Sequence, residues 1–470
     1  MTVPAARRAG RWTTSIAIGV LASALALSAV TAASAADPET RLKDTAPFRV
    51  GVAIDQRETS GDPGRVVTEH FDQVTAENHM KPDAWYDGQR TLRIHPQAAA
   101  IVDFADERGL DVYGHTLVWH NQTPAWFFQT ASGQPLSTSD ADRSILRERM
   151  RTHIFGVARL LSERDGLFGA GNPLTAFDVV NEVISDGPEA DGLRRSEWYR
   201  VLGEEFIDLA FRYADEAFNE TYAAPDTDRP VVLFINDYST EWDAKRARYL
   251  ALVDRLLARG VPVDGVGHQF HVSMSLNVAA LARAIDAFAD RPVTQAVTEF
   301  DVPTGTPVTT AALDAQGAYY RAAFEVFHAR KDHLYSVSVW GLNDSRSWRA
   351  ADGAPLMFFD DLTAKPALVG ALAAAPAPAV AVAASSRCVG GRVVLVVTST
   401  NLADAAKTLQ TSSAFGGRDF SDVASGRSVA HALSTRAVSI PAGGVTVTAE
   451  GGATVSALYP AVTCSAAAPR

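Results

Sequence analysis

Cysteine is almost missing from this chain, which has two among 470 residues, Cys388 and Cys464. Both lie towards the carboxyl end, so the long preceding segment holds no cysteine for catalysis or for a thiolate metal site. Two cysteines that flank a terminal segment predict one disulfide around a small domain if the chain is exported, and two free thiols are the alternative. Closing such a loop is expected to contribute roughly 4 kcal/mol to stability.

Runs that are apolar enough to cross a bilayer are also nearly absent. The clearest one covers 15–30, after Arg7, Arg8 and Arg11 and before an Ala-Ser-Ala sequence at 33–35. This order is typical of a secretory signal peptide, which we expect over 1–36, so that the mature protein is secreted and extracellular. A membrane anchor is the alternative, but the run is shorter than the roughly 20 residues that a span needs. We expect no membrane partner.

Positive charge is in deficit, since 43 Lys and Arg residues face 54 Asp and Glu residues and give a formal net charge of -11. An acidic chain is a poor partner for nucleic acid, whereas a neutral polysaccharide is not repelled by it. Hydrophobic and charged contents of 47% and 21% are ordinary for a globular protein. The length predicts one large domain with a smaller one, and we expect a monomer.

Short apolar runs alternate with longer amphipathic stretches through most of the chain. The runs that we interpret as strands are 48–54, 73–78, 111–119, 176–182, 231–237, 265–271, 292–301 and 336–342. The stretches that we interpret as helices are 97–107, 144–161, 196–218, 243–259, 278–288 and 311–328. Strands that alternate with helices indicate an α/β fold with a parallel sheet, and eight of them predict a (β/α)8 TIM barrel over 37–370.

The composition changes after Pro366. Alanine and proline dominate 371–386, which predicts a linker. Beyond it, 392–398, 427–439 and 445–449 alternate small apolar and polar residues, so we expect a small all-β, sandwich-like domain over 387–470. This terminal segment has no tryptophan, and both a spacer role and polysaccharide binding stay open for it.

Two of the predicted strands end in or beside a glutamate, Glu182 in the fourth and Glu299 in the seventh. A closed barrel brings the carboxyl ends of its strands to one mouth, so both side chains are expected to face one cavity. Two carboxyl groups there can cleave a glycosidic bond, with a retaining or an inverting outcome that depends on their separation. A salt-bridged structural glutamate is the alternative for either residue alone.

Other strand ends carry polar and aromatic side chains. Gln269 and His271 share strand parity and should point to the same side, where His271 can hold Glu299 ionised; a core histidine is the alternative. His268 has the opposite parity, which argues against a metal site. The groups suited to sugar hydroxyls or to stacking on a sugar ring are Glu77, Asn78, Lys81, His115, Trp119, His120, Gln122, Asn236, Asp237, Tyr238, Trp340 and Trp348. A buried core position is the alternative for each of the last two.

Seven motifs occur in order between about 48 and 366. They are Thr75-Ala-Glu-Asn-His-Met-Lys81, Gly114-His-Thr-Leu-Val-Trp-His120, Asp178-Val-Val-Asn-Glu182, Asn236-Asp-Tyr238, Asp264-Gly-Val-Gly-His-Gln-Phe-His271, Thr298-Glu-Phe-Asp301 and Val339-Trp-Gly-Leu-Asn-Asp-Ser-Arg-Ser-Trp-Arg349. Together they resemble glycoside hydrolase family 10, the endo-1,4-β-xylanases. The segment after about 375 lies outside the resemblance.

The resemblance implies a retaining double displacement on β-1,4-xylan without a cofactor. Glu182 matches the family's general acid/base, Glu299 its nucleophile, Asn181 the residue that bonds the sugar 2-hydroxyl, and His271 the partner of the nucleophile. The residues that match the wall of the glycone subsites are Glu77, Asn78, Lys81, His115, Trp119, Gln122, Gln269, Trp340 and Trp348.

The chain departs from the family pattern near the subsites. His79 stands where an acidic or small residue is more common, Pro82 where an aromatic residue is common, and Phe234 and Ile235 precede Asn236 where a tyrosine is frequent. None of these positions is one of the two glutamates. Three other functions stay open: a β-1,4-glucanase, a non-catalytic polysaccharide-binding protein, and a structural protein of the cell wall.

Overall fold

The structure is a computed structural model that describes residues 40–375, 379–450 and 454–464. The expected signal peptide over 1–36 lies outside the described residues. Within those three ranges, we find no helix with the length and apolar character that crossing a bilayer requires.

Eight parallel strands close into a barrel in the order in which they occur along the chain. They are β1 Arg49–Ile54, β2 Gln73–Ala76, β3 Asp111–Trp119, β4 Leu174–Asn181, β5 Val232–Asp237, β6 Gly265–His268, β7 Thr294–Phe300 and β8 Leu334–Val339. Strand β8 pairs with β1, where Val337 lies opposite Val50, and this contact completes the ring. The expected TIM barrel is confirmed. Its strands are buried on both faces, which explains why they appear as continuous apolar runs.

Helices connect the strands and cover the outside of the barrel. They are α1 Leu42–Thr45, α2 Gly61–His70, α3 Pro96–Arg108, α4 Asp140–Asp165, α5 Glu197–Leu202, α6 Glu205–Ala214, α7 Asp243–Ala258, α8 Ala279–Asp286, α9 Thr310–His328 and α10 Pro366–Ala373. Local chemistry sets several ends. The hydroxyl of Ser139 accepts the N–H of Asp142 at 3.2 Å and caps α4, while Gly109 ends α3 with a φ of 65°.

Several helical segments differ from the sequence prediction, and the short helices α1 and α10 were not among the predicted ones. The single helix expected over 196–218 is divided, because Gly203 takes a φ of 68° and ends α5 before α6 begins. A π-helical turn, Asp215–Thr221, then extends α6 beyond the predicted end. Helix α2 was not predicted. Its first turn contains Gly61, Pro63 and Gly64, which are typical of a loop, but proline is tolerated there because the first N–H groups of a helix have no intrahelical acceptor.

The terminal region is all-β. It has a three-stranded sheet in the order β13-β10-β9, a four-stranded sheet in the order β12-β11-β15-β16, and the pair β14-β17. The strands are β9 Val380–Val389, β10 Arg392–Asn401, β11 Lys407–Ser413, β12 Gly416–Val423, β13 Ser428–Ser434, β14 Ser439–Ile440, β15 Gly443–Ala449, β16 Thr454–Tyr459 and β17 Val462–Thr463. Alternate residues such as Val393, Leu395 and Val397 are buried in its core. Cys388 and Cys464 are bonded to each other, with 5.6 Å between their Cα atoms.

Regular structure occupies much of the segment that was predicted to be a linker over 371–386. Helix α10 continues to Ala373, and β9 begins at Val380. Alanine forms helices readily, which accounts for the first part. In the second part, every residue of β9 pairs with β10, from Val380 opposite Asn401 to Val389 opposite Arg392. The alanine- and proline-rich composition of the segment therefore gave no indication of the end of α10 or of the start of β9.

Candidate active site

A cavity of about 440 Å³ lies at the mouth of the barrel, where the strands end. Its lining residues are Glu77, Asn78, Lys81, His115, Trp119, Asn121, Asn181, Glu182, Tyr238, Ser239, Gln269, His271, Glu299, Trp340 and Trp348. Of the site residues expected from the sequence, the lining lacks His120, Gln122, Asn236 and Asp237, and it contains all the others. It adds Asn121 and Ser239, which the sequence analysis missed.

Gln122 does not line this cavity because the chain turns sharply beside it. Its φ is 43°, in the left-handed region, and its backbone N–H bonds the side chain of Asn121 at 2.9 Å. Its carbonyl group accepts the N–H of Asp83 at 2.8 Å. The turn sends Asn121 into the cavity instead. A left-handed residue other than glycine has no clear signal in a sequence.

Glu299, on β7, is 5% exposed and is held on both carboxyl oxygens. Its Oε1 accepts a hydrogen bond from Asn236 at 2.9 Å, and its Oε2 lies 3.1 Å from His271 Nε2. Burial alone would raise the pKa of this carboxyl group. The hydrogen bond from His271 and the nearby charges of His115, His271 and Lys81 outweigh burial and leave the pKa of Glu299 below its usual value. Glu299 is therefore a buried, ionised carboxylate.

His271 is the cation that holds Glu299. Its Nδ1 lies 2.7 Å from Asp301 Oδ2, so both ring nitrogens face carboxylates. Burial lowers the pKa of His271, but the charges and hydrogen bonds of Asp301 and Glu299 prevail and raise it to about 10. Asp301 is itself fixed by Arg349, whose Nη1 donates at 2.7 Å, and by the ring N–H of Trp348 at 3.1 Å. At neutral pH the ring is an imidazolium that donates to both carboxylates.

Glu182 directly follows β4 and meets neutral donors instead. Its Oε2 accepts the ring N–H of Trp119 at 3.0 Å, and its Oε1 accepts Gln269 Nε2 at 3.2 Å. The backbone is left-handed here, with a φ of 58°, which is unfavourable for a residue with a side chain. Two bonds hold it, from Glu182 N to Asn236 O at 2.8 Å and from Arg194 Nε to Glu182 O at 2.7 Å. The turn directs the carboxyl group into the cavity.

A network of amide groups connects the two glutamates. Asn236 on β5 is fully buried and donates from Nδ2 to both Glu299 Oε1 and, at 3.0 Å, Asn181 Oδ1. Asn181 Oδ1 also accepts Gln269 Nε2 at 3.2 Å, so its oxygen is occupied and its NH₂ group is the part left to donate. Gly267 on β6 makes room for the network, because a Cβ atom there would lie 2.4 Å from Asn236 Oδ1.

Charged groups line the side of the cavity formed by β2 and β3. Lys81 Nζ lies 3.0 Å from Asn78 Oδ1 and 5.3 Å from the centre of the Trp119 ring. Burial lowers the pKa of Lys81 below its usual value, although the charges of Glu299, Glu77 and Glu182 oppose the change. Burial likewise raises the pKa of Glu77. These groups can donate to and accept from hydroxyl groups of a ligand.

His115 and two tryptophans complete this wall. His115 Nδ1 lies 2.8 Å from Asp178 Oδ2, which fixes the orientation of the ring. Trp340 is 6% exposed and packs against His115 with 5.2 Å between ring centres, whereas Trp348 is 60% exposed at the rim. An aromatic face at the rim of a cavity is suited to stacking on a sugar ring.

On the opposite side, Tyr238 belongs to an ionic cluster. Its hydroxyl group accepts from Arg194 at 2.6 Å and donates to Asp186. Lys245, with a side chain that is 6% exposed, lies between Asp186 Oδ1 at 2.7 Å and Asp237 Oδ1 at 3.0 Å. Burial raises the pKa of Asp237 to about 7, although the charge of Lys245 opposes this. The cluster anchors the loop that carries Tyr238.

His268 points away from the cavity, as its strand parity predicts. Its Nδ1 lies 2.8 Å from Thr240 Oγ1, and its Nε2 lies 3.1 Å from Gln295 Oε1. Burial lowers its pKa to about 4, so it is neutral. Among the residues that the structure describes, no group of three or more His, Cys, Asp and Glu side chains is placed to hold a metal ion.

The model of one protein family, described as "Glycosyl hydrolase family 10", matches residues 40–374. The chain belongs to glycosyl hydrolase family 10. The resemblance drawn from the motifs is thus confirmed, and the family match ends within one residue of the end of α10 at Ala373. The terminal all-β region lies outside it.

Curated family 10 relatives cover the same region. The chain is 36% identical over 323 residues to "Endo-1,4-beta-xylanase A" of Thermoanaerobacterium saccharolyticum, a match that covers 68% of this chain and 26% of that protein. "Exoglucanase XynX" of Acetivibrio thermocellus is also 36% identical over 323 residues, with 68% and 28% covered. "Endo-1,4-beta-xylanase A" of Halalkalibacterium halodurans is 32% identical over 348 residues, with 68% and 82% covered. The chain spans about a quarter of the length of the first two.

Solved structures of family 10 share the fold. The structure of an intracellular xylanase from Thermoanaerobacterium saccharolyticum matches with a TM-score of 0.62 and 35% identity, over 69% of this chain and 95% of that one. Two glutamate-to-alanine mutants of that xylanase, solved with xylotetraose and with xylotriose, match with a TM-score of 0.63 and 34% identity, over 72% of this chain.

Proposed function

We propose that this chain is an endo-1,4-β-xylanase that hydrolyses internal linkages of xylan. The observation that carries the proposal is the pair of glutamates in one cavity, with Glu299 held ionised by His271 and Glu182 held by the neutral donors Trp119 and Gln269. Membership of family 10 and relatives named endo-1,4-beta-xylanases support the choice of xylan.

The proposed reaction is a retaining double displacement. Glu299 attacks the anomeric carbon while Glu182 gives its proton to the glycosidic oxygen, so the bond to the leaving sugar breaks as the glycosyl ester forms. Glu182 then takes a proton from a water molecule, the resulting hydroxide attacks the same carbon, and the ester bond to Glu299 breaks. The released sugar keeps its anomeric configuration. Both steps draw on protein groups and water alone.

The surroundings of the two glutamates suit these roles. A nucleophile must be ionised, and the imidazolium of His271 keeps Glu299 in that state at neutral pH. Glu182 has no cation within hydrogen-bond distance, since His120 Nε2 is 3.8 Å from Oε2, and its two hydrogen-bond donors, Trp119 and Gln269, are neutral. Asn181, whose carbonyl oxygen is occupied, donates its NH₂ group to the sugar 2-hydroxyl.

The cavity walls then bind the sugar units of the non-reducing side. We assign hydroxyl recognition there to the polar side chains Glu77, Asn78, Lys81, His115 and Gln269, and ring stacking to Trp119, Trp340 and Trp348. Tyr238 lines the opposite side of the cavity, where we expect it to contact the substrate beyond these units. The position of Gln122 outside the lining argues against the direct role that the family resemblance implied for it.

The test is hydrolysis of glucuronoarabinoxylan, with the anomeric form of the first product followed by NMR. We expect the β-anomer to appear first and the Glu299→Ala variant to lose nearly all activity. Glu163→Ala is a matched control, because this exposed glutamate on α4 only pairs with Arg159. An α-anomer as first product, or an active Glu299→Ala variant, would contradict the mechanism.

A β-1,4-glucanase is the second candidate, because one of the relatives is named an exoglucanase. Xylose and glucose differ by one hydroxymethyl group, which the wall of the cavity must either admit or exclude. Turnover of aryl xylobioside and aryl cellobioside by the same preparation separates the two activities. A higher kcat/KM for the cellobioside would favour the glucanase.

We also propose that the protein is secreted and acts as a monomer. The signal-like pattern over 1–36 supports export, and so does the disulfide between Cys388 and Cys464, because such bonds persist in oxidising compartments. Family membership does not decide the location, since one solved relative is described as intracellular. Recovery of the protein from culture medium with an amino terminus near Ala36 tests export, and light scattering of that material tests the monomer.

A further inference from the structure

One arginine fastens the loop after β4 to the turn that carries Glu182. Arg194 lies between β4 and α5, twelve residues after Glu182. The segment folds back through a β-bridge between Ile184 and Leu193, and the backbone N–H of Arg194 donates to the carbonyl group of Val183 at 2.8 Å. Arg194 therefore returns to the side of the proposed acid/base, although the mechanism above assigns it no part.

The guanidinium group of Arg194 bonds two loops at once. Its Nε donates to the carbonyl oxygen of Glu182 at 2.7 Å, and no other donor among the described residues reaches that oxygen. Its Nη2 donates to the hydroxyl oxygen of Tyr238 at 2.6 Å and lies 3.2 Å from Asp186 Oδ2. Because the group is planar and rigid, its bond to Tyr238, in the loop after β5, also fixes the position of the Glu182 carbonyl.

Arg194 lies behind Glu182 and outside the active-site cavity. It does not belong to the lining of that cavity and instead borders, with Trp119, His120 and Glu182, a separate space of about 10 Å³. Such a space holds no more than about one water molecule. A sugar unit cannot enter it, so any effect of Arg194 on the reaction passes through the residues that it bonds.

The other contacts of this loop do not depend on Arg194. Asp186 also pairs with Lys245, with 2.7 Å between Oδ1 and Nζ, so loss of the arginine does not leave this carboxylate without a cation. The backbone N–H of Ile184 donates to Asp237 Oδ2 at 2.8 Å and ties the loop to β5. Removal of the guanidinium group is therefore expected to release the carbonyl group that it holds while the loop stays folded.

That carbonyl group matters because the backbone of Glu182 is left-handed. A φ of 58° is unfavourable for a residue with a side chain and persists only where the surroundings hold it. Without the bond from Arg194, the peptide group after Glu182 can rotate, which turns the carboxyl group away from Trp119 and Gln269. A displacement of about 1 Å at a reacting group can lower a rate about 10²-fold.

We propose that Arg194 is a positioning residue for proton transfer by Glu182. It holds the left-handed turn that directs the carboxyl group at the glycosidic oxygen, and it contacts neither the substrate nor the reacting atoms. Loss of Arg194 should therefore impair the steps in which Glu182 gives or takes a proton and spare those that need no proton. The proposal rests on the xylanase function and mechanism proposed above.

The test compares two aryl xylobiosides that differ in their need for a proton. Phenolate is a poor leaving group and departs with help from an acid, whereas dinitrophenolate departs without one. For both compounds, kcat/KM reports the reaction up to the glycosyl ester. In Arg194→Gln, we expect kcat/KM to fall about 10²-fold for phenyl xylobioside and by no more than about threefold for the dinitrophenyl compound.

The second step of the reaction is tested with azide, a nucleophile that needs no base. Azide attacks the anomeric carbon of the glycosyl ester, so a carbon–nitrogen bond forms as the carbon–oxygen bond to Glu299 breaks and the carboxylate is released. Azide should raise kcat of Arg194→Gln on the dinitrophenyl compound, with glycosyl azide as product, and leave kcat of the wild type unchanged. A purely structural defect gives no such response, since azide cannot repair the fold.

The matched control is Arg195→Gln, the same change at the next residue. Arg195 is 46% exposed and pairs with Asp191 at 3.0 Å within the same loop, so its loss should leave the ratio of the two kcat/KM values unchanged. Arg194→Lys keeps the charge and one donor. It should show a smaller fall with the same selectivity, and it takes the place of Arg194→Gln if that variant does not fold.

Two results overturn the positioning role. One is an equal fall for both aryl xylobiosides, or no fall for either, in the Arg194 variants. The other is a loss of the same selectivity in Arg195→Gln. If the wild-type protein cleaves neither compound, the proposed xylanase function has failed first, and the proposal falls with it.

Discussion

The charge on His271 can be removed while a hydrogen-bond donor is kept, by the substitution His271→Gln. Glu299 then loses the nearby positive charge that lowers its pKa, so the pKa of Glu299 rises. We expect the acid limb of the pH profile of kcat/KM to move to higher pH. A charged hydrogen bond is worth about 1.5–3 kcal/mol, so kcat/KM at its optimum should fall roughly 10- to 150-fold.

The same variant should change how stability depends on pH. The charges of Asp301 and Glu299 raise the pKa of His271 to about 10 in the folded protein, above the usual histidine value of 6.5. Its contribution to the free energy of unfolding is therefore complete below pH 6.5 and is lost as the pH rises towards 10. Between pH 8 and 10, wild-type stability should fall by about 1.4 kcal/mol per pH unit more than that of the variant.

Denaturant unfolding followed by tryptophan fluorescence measures this difference in the barrel, because the terminal region contains no tryptophan. The control is His153→Gln. Burial lowers the pKa of His153 to about 4, so this residue is neutral between pH 8 and 10 and its loss has the same cost throughout. Parallel curves for wild type and His271→Gln over that range would refute the assignment of a cation beside Glu299.

Three further outcomes can be measured. Glu182→Gln should lower kcat on xylan roughly 10²- to 10⁴-fold and act less on aryl glycosides with acidic leaving groups, and an equal loss on both would contradict an acid role. Replacing Cys388 and Cys464 together by serine removes a cross-link between positions 76 residues apart in the sequence. Calorimetry should then show the terminal domain destabilised by about 4.5 kcal/mol, while xylan hydrolysis, the control, should be unchanged. Lys245→Met leaves Asp237 buried without its cation and should lower barrel stability by about 3–5 kcal/mol in urea unfolding; an unchanged midpoint argues against the ion pair.

The barrel could be predicted because its strands have a strong pattern. Parallel strands covered on both faces must be apolar along their whole length, so runs such as 231–237 stand out from the amphipathic helices. The predicted positions of the strand ends were less accurate than the predicted strands themselves. The run 265–271 was predicted as one strand, but β6 ends at His268, because Phe270 takes a φ of 53° that a strand cannot contain.

The terminal region was harder to interpret because much of it is exposed. Strand β12 has one buried residue, Val423, and β9 also has one, Val380, so neither shows an alternation of buried and exposed residues that a sequence pattern can reveal. Strand β10 does alternate, and it was predicted. Strands β9 and β12 are defined by their pairing with neighbouring strands, and such pairing cannot be recognised from a short stretch of sequence.

Most of the site could be predicted because strand ends meet at one mouth. The hydrogen bonds and ion pairs that hold the site residues in place could not be predicted, because they join positions that are far apart in the sequence. Arg349 reaches Asp301 across 48 residues of sequence, and Asn236 reaches Glu299 across 63. Strand parity did offer one signal that was not used, since Asp301 lies two residues after Glu299 and belongs to the same face.

The absence of a side chain at Gly267 limits which substitutions the active site of this barrel can tolerate. The amide of Asn236 occupies the space that a methyl group at 267 would fill, so substitution there pushes on the residue that bonds both Asn181 and Glu299. A position with no functional group of its own thus controls the spacing of the reacting carboxyl groups. A mutant library that keeps the polar residues of the barrel mouth but randomises Gly267 is therefore expected to contain many inactive variants, because any side chain at 267 displaces Asn236.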